Sequence, residues 1–348
     1  MSTTATPVTT AKAVRITAEF GIANLTFNEV EVMQPGPGQV LVAIKACSLN
    51  YRDLLMVKGH YNPRLKRPMT ICSDGAGEVI ATGEGVTRFK AGDRVAGAFF
   101  QKWIAGPLTR EGGESALGGA IDGVLATYRT FDEAGLVHIP GHLDYREGAT
   151  LPCAAVTAWN TLVETAHVRA GDTVVLLGTG GVSIFALQFA KMNGARVIIT
   201  SSSDEKLRRA RDMGADDTIN YKNTPDWEKE VSKLTGKRGA DIVVEVGGAG
   251  TLPRSLKAVR PAGFVGLIGV LSGIEQPMNI GPILHNNVHL QGIYVGSVEM
   301  FENMNRAITQ HKMKPVIDLV FGYEQTREAL HHMESGQHFG KIVIDVNR

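Results

Sequence analysis

The rhythm of apolar and polar positions changes once along the chain, near residue 150. Before it, short stretches alternate apolar with polar, as strands with one wet face do. The pattern predicts strands over 13–17, 25–32, 39–46, 75–80 and 92–98, punctuated by Pro35-Gly36-Pro37-Gly38 and other glycine turns. Residues 99–123 are glycine-rich without periodicity and read as a long surface loop. After residue 150, unbroken apolar runs of strand length alternate with helix-period segments. Strands are expected over 173–177, 197–200, 217–220, 242–246, 264–270 and 289–295, with helices over 182–193, 205–213, 227–234 and 252–259 between them. Such alternation predicts a doubly wound parallel α/β sheet of six strands. A helix (298–308), a segment at 315–321, a helix (324–334) and a strand (341–346) follow, and this tail is expected to rejoin the first, β-rich lobe.

The densest signal lies at 172–200. An apolar strand runs into Gly178-Thr179-Gly180-Gly181-Val182-Ser183, which opens a helix that is apolar almost all round. A glycine turn at a helix start presents backbone N–H groups and the positive end of the helix dipole, which suits a pyrophosphate. Ser183 stands where a third glycine is usual and is small enough to keep helix and strand close. In this strand–turn–helix setting the motif predicts dinucleotide binding, with Gly178, Gly180, Gly181 and Val182 at the pyrophosphate. An NAD site places an acid about 20 residues further on, for the ribose hydroxyls. Here the strand ends in Ser201-Ser202-Ser203, and Asp204 reads as an N-cap. Ser201, Ser202 and Lys206, with Arg208 and Arg209 nearby, suit a 2′-phosphate, so NADPH is expected rather than NADH.

Composition narrows the classes. At 348 residues the chain has room for two domains, and its formal net charge of +1 carries no basic stripe. Neither nucleic acid nor an anionic membrane is an expected partner, and no apolar run approaches the ~20 residues of a membrane span. The first fourteen residues carry no basic-then-apolar leader and read as a disordered tail, so the cytoplasm is the expected location. Three cysteines, Cys47, Cys72 and Cys153, are too few for a disulfide framework or a four-cysteine zinc site.

Leu49-Asn50-Tyr51-Arg52-Asp53, Asp74-Gly75-Ala76-Gly77-Glu78-Val79, Gly92-Asp93-Arg94-Val95, Leu151-Pro152-Cys153-Ala154, Thr157-Ala158-Trp159 and Gly340-Lys341-Ile342-Val343 occur in that order. Together they resemble the medium-chain dehydrogenase/reductase superfamily, and within it the zinc-free quinone oxidoreductase-like branch. The resemblance implies a GroES-like catalytic domain from residues 1–150 and 297–348, and a Rossmann NADP-binding domain at 151–296. It also implies an active site in the cleft between them and a homodimer or homotetramer. Where alcohol dehydrogenase relatives carry zinc ligands, this chain matches with Asn50, Ser73 and Cys153. One thiolate and a carboxylate cannot complete the tetrahedral site zinc prefers, so no metal is expected, and Cys153 becomes a small buried apolar residue.

The resemblance places further roles. Tyr61, in Asn50-Tyr51-Arg52-Asp53…Gly59-His60-Tyr61, matches a tyrosine assigned as proton donor in enoyl-thioester reductases; a substrate-bound water is the alternative. Asn50 matches an amide contacting the nicotinamide ribose or the substrate oxygen, and Thr157 a nicotinamide contact. Tyr221 matches a residue near the adenosine. Gly269, Val270 and Leu271, with Tyr294 and Val295, match segments bordering the nicotinamide. Lys341 matches a second phosphate cation, or else is an exposed strand lysine. Without a Lewis acid, a conjugated acceptor is the easier substrate, because its developing charge spreads into an enolate. The expected activity is NADPH-dependent hydride transfer to an enone, quinone or enoyl compound. An alcohol or aldehyde oxidoreductase with a degenerate zinc site, and a non-catalytic NADPH-binding protein, are the alternatives.

Overall fold

The computed structural model describes residues 8–348, which form two compact units. One comprises residues 8–153 with Gly296–Arg348; the other is Ala154–Val295.

The first unit is built on the strand Gln39–Leu49, eleven residues long and buried almost throughout. It pairs antiparallel with Asp74–Thr82 and Lys341–Asp345, and also with Tyr128–Asp132. These strands belong to a seven-stranded sheet, beside a three-stranded sheet of Thr26–Glu31, Thr10–Ile16 and Met69–Thr70. The register sets up the chemistry. Leu49 pairs with Ile342, and Ser48 pairs with both Val343 and Asp74. The end of Gln39–Leu49 therefore lies between Lys341 on one side and Ser73-Asp74 on the other. Asn50 ends the strand and begins the helix Tyr51–Val57 through a capping box, in which Asp53 accepts from the Asn50 backbone N–H at 2.7 Å.

In the second unit six parallel strands run in the order Asp217–Asn220, Arg196–Ser201, Thr173–Leu176, Ala240–Glu245, Val259–Leu267, His289–Gly292. The strand first in sequence, Thr173–Leu176, is central, with its successor on one side and Ala240–Glu245 on the other. The order therefore reverses at its carboxyl end, the place where open α/β sheets bind ligands. Val174, Val175 and Leu176 are fully buried, as an unbroken apolar run in a sheet covered on both faces should be.

Several expectations are corrected. Residues 99–123 are not a surface loop: Phe99, Phe100, Trp103, Ala116 and Leu117 are buried, and the segment carries the short helix Arg110–Gly113. Its glycines hid apolar anchors that pack without periodicity. The expected N-terminal tail extended to residue 14, but a strand begins at Thr10; residues 1–7 lie outside the described residues. Ser203, not Asp204, caps the helix Asp204–Asp212, accepting from the Lys206 N–H, while Asp204 accepts from Asn220 Nδ2 at 2.7 Å. The strand expected at 264–270 spans Val259–Leu267, so Gly269 lies beyond its end. Among the described residues no helix is long and apolar enough to cross a membrane.

Candidate functional site

Two groups of residues carry chemistry, one in each unit. In the β-rich unit a buried polar cluster forms where the three strand ends meet. Lys341 is 3% exposed, and its ammonium donates to the Leu49 carbonyl at 2.7 Å and to Asn50 Oδ1 at 2.5 Å. Asn50 Nδ2 donates to Ser73 Oγ at 3.3 Å, and Ser73 Oγ donates to Asp74 Oδ1 at 2.8 Å. The other Asp74 oxygen accepts from the Cys153 backbone N–H at 3.0 Å. Burial pushes the Asp74 carboxyl up, opposed by the Lys341 charge and by hydrogen bonds from Asn50, Ser73 and the Cys153 N–H. Asp53, also buried, is raised to about 6 by loss of water, against the neighbouring Arg52 charge.

Lys341 is thus not an exposed strand lysine. Tyr61 is 41% exposed, with the Arg52 guanidinium 5.4 Å from its ring centroid; the same guanidinium lies 4.6 Å from the Phe99 ring centroid. Cys153 is only partly buried as a residue, and burial of its thiol beside Asp74 pushes its ionisation far up. It is therefore a protonated thiol beside charged groups rather than a plain apolar filler.

These residues fit a zinc ion poorly. At the matched ligand positions Ser73 replaces an imidazole, and the Asn50 oxygen faces an ammonium. Asp74 already accepts at both oxygens. A cation placed there would meet the Lys341 charge.

The parallel-sheet unit carries the second group. Gly178 has φ +72°, and neither it nor Gly180 has any atom within 4 Å of where a Cβ would stand. The helix Gly181–Met192 starts from Gly180 with no side-chain cap, so Gly181 and Val182 begin a first turn whose N–H groups point outward. Ser183 Oγ donates to the Leu177 carbonyl at 2.7 Å, tying helix to strand as a third glycine would by size alone. This open glycine cradle fits a dinucleotide pyrophosphate. At the next strand end Ser201 is buried, its Oγ accepting from the Ser203 N–H at 3.4 Å; Ser202 and Lys206 are half-buried. Tyr221, Val270, Leu271 and Tyr294 are exposed, Thr157 is buried, and Val295 has φ +57° with its carbonyl accepting from Asn160 Nδ2 at 2.8 Å. A Cβ at Gly269 would stand 1.7 Å from the Val246 carbonyl oxygen, so that position admits only glycine.

Two contributors were missed from sequence. Glu245, fully buried at a strand end, accepts from the Gly247 and Gly248 N–H groups at 2.7 and 3.0 Å, from Thr251 Oγ1 at 2.6 Å, and from Ser255 Oγ. It shapes the turn beside Gly269, whose N–H donates to the Glu245 carbonyl at 3.2 Å. The run Glu245-Val246-Gly247-Gly248-Ala249-Gly250-Thr251, an acid just before a glycine turn, was a visible signal for this. The hydrogen-bonded chain from Lys341 through Asn50 and Ser73 to Asp74 had no sequence signal, because its segments are far apart in the sequence.

The chain matches the family model "Alcohol dehydrogenase GroES-like domain" over residues 36–141 and "Zinc-binding dehydrogenase" over residues 181–310. It is 45% identical to a zinc-type alcohol dehydrogenase-like protein of Schizosaccharomyces pombe, over 94% of this chain and 96% of that protein. It is 32% identical to a quinone oxidoreductase of Pseudomonas aeruginosa, over 90% and 87% of the two. Among solved structures, a putative alcohol dehydrogenase from Sinorhizobium meliloti 1021 superposes with TM-score 0.90 at 42% identity, covering 98% of this chain and 100% of that one. A 2-octenoyl-CoA carboxylase reductase, solved with NADP and 2-octenoyl-CoA, superposes with TM-score 0.87 at 25% identity, covering 97% and 88%.

Proposed function

Because the chain belongs to the medium-chain dehydrogenase/reductase superfamily and is an oxidoreductase of that kind, we propose that it is an NADPH-dependent, metal-independent reductase of activated C=C bonds or quinones. The observation that carries this reading is the polar cluster at the matched ligand positions. Asn50 Oδ1 accepts from the Lys341 ammonium, Asn50 Nδ2 donates to Ser73, and Ser73 donates to Asp74, so the oxygens at these positions already face hydrogen-bond donors. A site without a Lewis acid stabilises a simple alkoxide poorly, whereas an enolate or hydroquinone anion needs only hydrogen bonds.

When bound, NADPH supplies a hydride to the β-carbon of the acceptor or to a quinone. Gly178, Gly180, Gly181 and Val182 would bind its pyrophosphate, and Ser201, Ser202 and Lys206 its 2′-phosphate, with Tyr221 at the adenosine. Thr157, the turn Gly269-Val270-Leu271, and Tyr294-Val295 would border the nicotinamide. Asn50 would direct its amide at the ribose or the acceptor oxygen. Tyr61, or a water in its place, would deliver the proton that completes the addition. The working form is a homodimer or homotetramer in the cytoplasm. The 2-octenoyl-CoA carboxylase reductase solved with NADP and the quinone oxidoreductase among the similar proteins support this substrate class.

The decisive experiment follows NADPH and NADH oxidation by the metal-analysed protein on enones, quinones, enoyl thioesters and aldehydes. Turnover of the first three with NADPH and no bound metal is expected. Zinc-dependent turnover of aldehydes alone would replace this reading with the second one, an alcohol or aldehyde oxidoreductase. The names of the Schizosaccharomyces and Sinorhizobium proteins favour that alternative.

A further inference from the structure

The hydrogen bonds of the buried cluster run in one direction. The Lys341 ammonium can only donate, so the Asn50 carboxamide must turn its oxygen toward it, and Nδ2 then points to Ser73. Ser73 commits its proton to Asp74, which as a carboxylate only accepts. The chain is thus ammonium, amide, hydroxyl, carboxylate, with its sense fixed by a charge at each end. Ser73, its one proton committed to Asp74, favours the same sense through a long 3.3 Å bond, and the ammonium supplies the shorter one, 2.5 Å, at the amide oxygen.

We propose that Lys341 is a positioning residue for the reduction: its ammonium is the cluster's own cation, and it locks the Asn50 carboxamide in the one sense that presents N–H rather than C=O. This inference rests on Asn50 being an active-site amide. It departs from a role for Lys341 at a cofactor phosphate, for which a 3%-exposed ammonium already bound to a backbone carbonyl and an amide oxygen is badly placed. It also accounts for the loss of metal-ligand chemistry here, since a lysine carries the positive charge covalently.

The test is a double-mutant cycle of Lys341→Met and Asn50→Ala on NADPH-dependent reduction, with the NADPH Kd measured by nicotinamide fluorescence at two ionic strengths. Lys341→Met is expected to lower kcat by ~10–100-fold, as loss of orientation does. The double variant should be no worse than Asn50→Ala, and Lys341→Met by itself should leave the NADPH Kd and its salt dependence unchanged. An additive cycle, or an NADPH Kd weakened more than about tenfold with a flatter salt dependence, would overturn the proposal in favour of a phosphate contact. Lys341→Met with Asp74→Asn removes both buried charges together, and is run alongside in case the single variant fails to fold; the same kcat defect is expected. If the wild type reduces no acceptor, the proposed function falls separately. The lock is then read from the Asn50 side-chain amide NMR signal, sharp and slowly exchanging in the wild type; an identical signal in the lysine variant would sink the inference.

Discussion

The polar cluster at Asn50 and the glycine cradle at Gly178–Val182 are built on opposite principles. The cradle is local: consecutive residues, small side chains and backbone N–H groups at a helix start. The cluster is assembled from segments far apart in the chain, and its working parts are charged side chains held out of water. A cradle tolerates sequence drift wherever smallness is kept, as Ser183 shows. A buried charge cluster tolerates little, because each partner removed strands another.

The largest expected effect breaks the cluster. Lys341→Met leaves Asp74 buried beside no cation, and should cost about 3–5 kcal/mol in denaturant unfolding; the paired Lys341→Met/Asp74→Asn variant should recover part of that loss. A cost below 1 kcal/mol would mean that the two charges are not coupled.

Next comes pH. Asp53 has its folded pKa raised from 3.8 to about 6, mainly by burial. The folded state therefore binds the proton more tightly than the unfolded chain does. This stabilising contribution is full below pH 4 and is lost as pH rises through 6, by about 3 kcal/mol in all. Asp53→Asn should remove that slope from a stability–pH curve while keeping the oxygen that caps the helix. Asp241 behaves in the reverse sense. Burial alone would raise it, but hydrogen bonds from Arg238 and Arg260 and the Thr173 N–H bring it to about 2. Its contribution is present above the usual carboxylate pKa and is lost as pH falls through 2, so acid unfolding should begin earlier in Arg260→Gln.

The cradle responds differently. Gly180→Ala has room for its methyl, so melting should be unchanged, while NADPH binding weakens ~30-fold because the methyl stands where the pyrophosphate must approach. Gly269→Ala, by contrast, should lower the melting temperature itself, since its Cβ collides with a backbone carbonyl. Equal effects of the two substitutions on stability would erase the distinction between a glycine kept for a ligand and one kept for the fold. The smallest effect is Ser203→Ala, which removes a helix cap and should cost about 1 kcal/mol.

Legibility followed the same division. The six parallel strands and their helices were readable because burial on both faces writes continuous apolar runs, and the glycine turn is read over six residues. Phe99–Leu117 was misread because its buried aromatics follow no period. Ser203 was missed as a cap because Asp204 is equally able to serve, and only the backbone turn decides between neighbours. Lys341 had two readings in sequence, surface or phosphate, and neither named Asn50 as its partner.

By itself the sequence determined the α/β order of the second unit, the open glycine turn at the start of a helix and the superfamily, since each is written in consecutive residues or in motifs of fixed order. Only the tertiary structure decided that Lys341 is buried on Asn50 and leads through Ser73 to Asp74. That arrangement depends on strand register between segments almost 300 residues apart, and a one-residue slip of the strand Lys341–Asp345 would turn Lys341 to the other face.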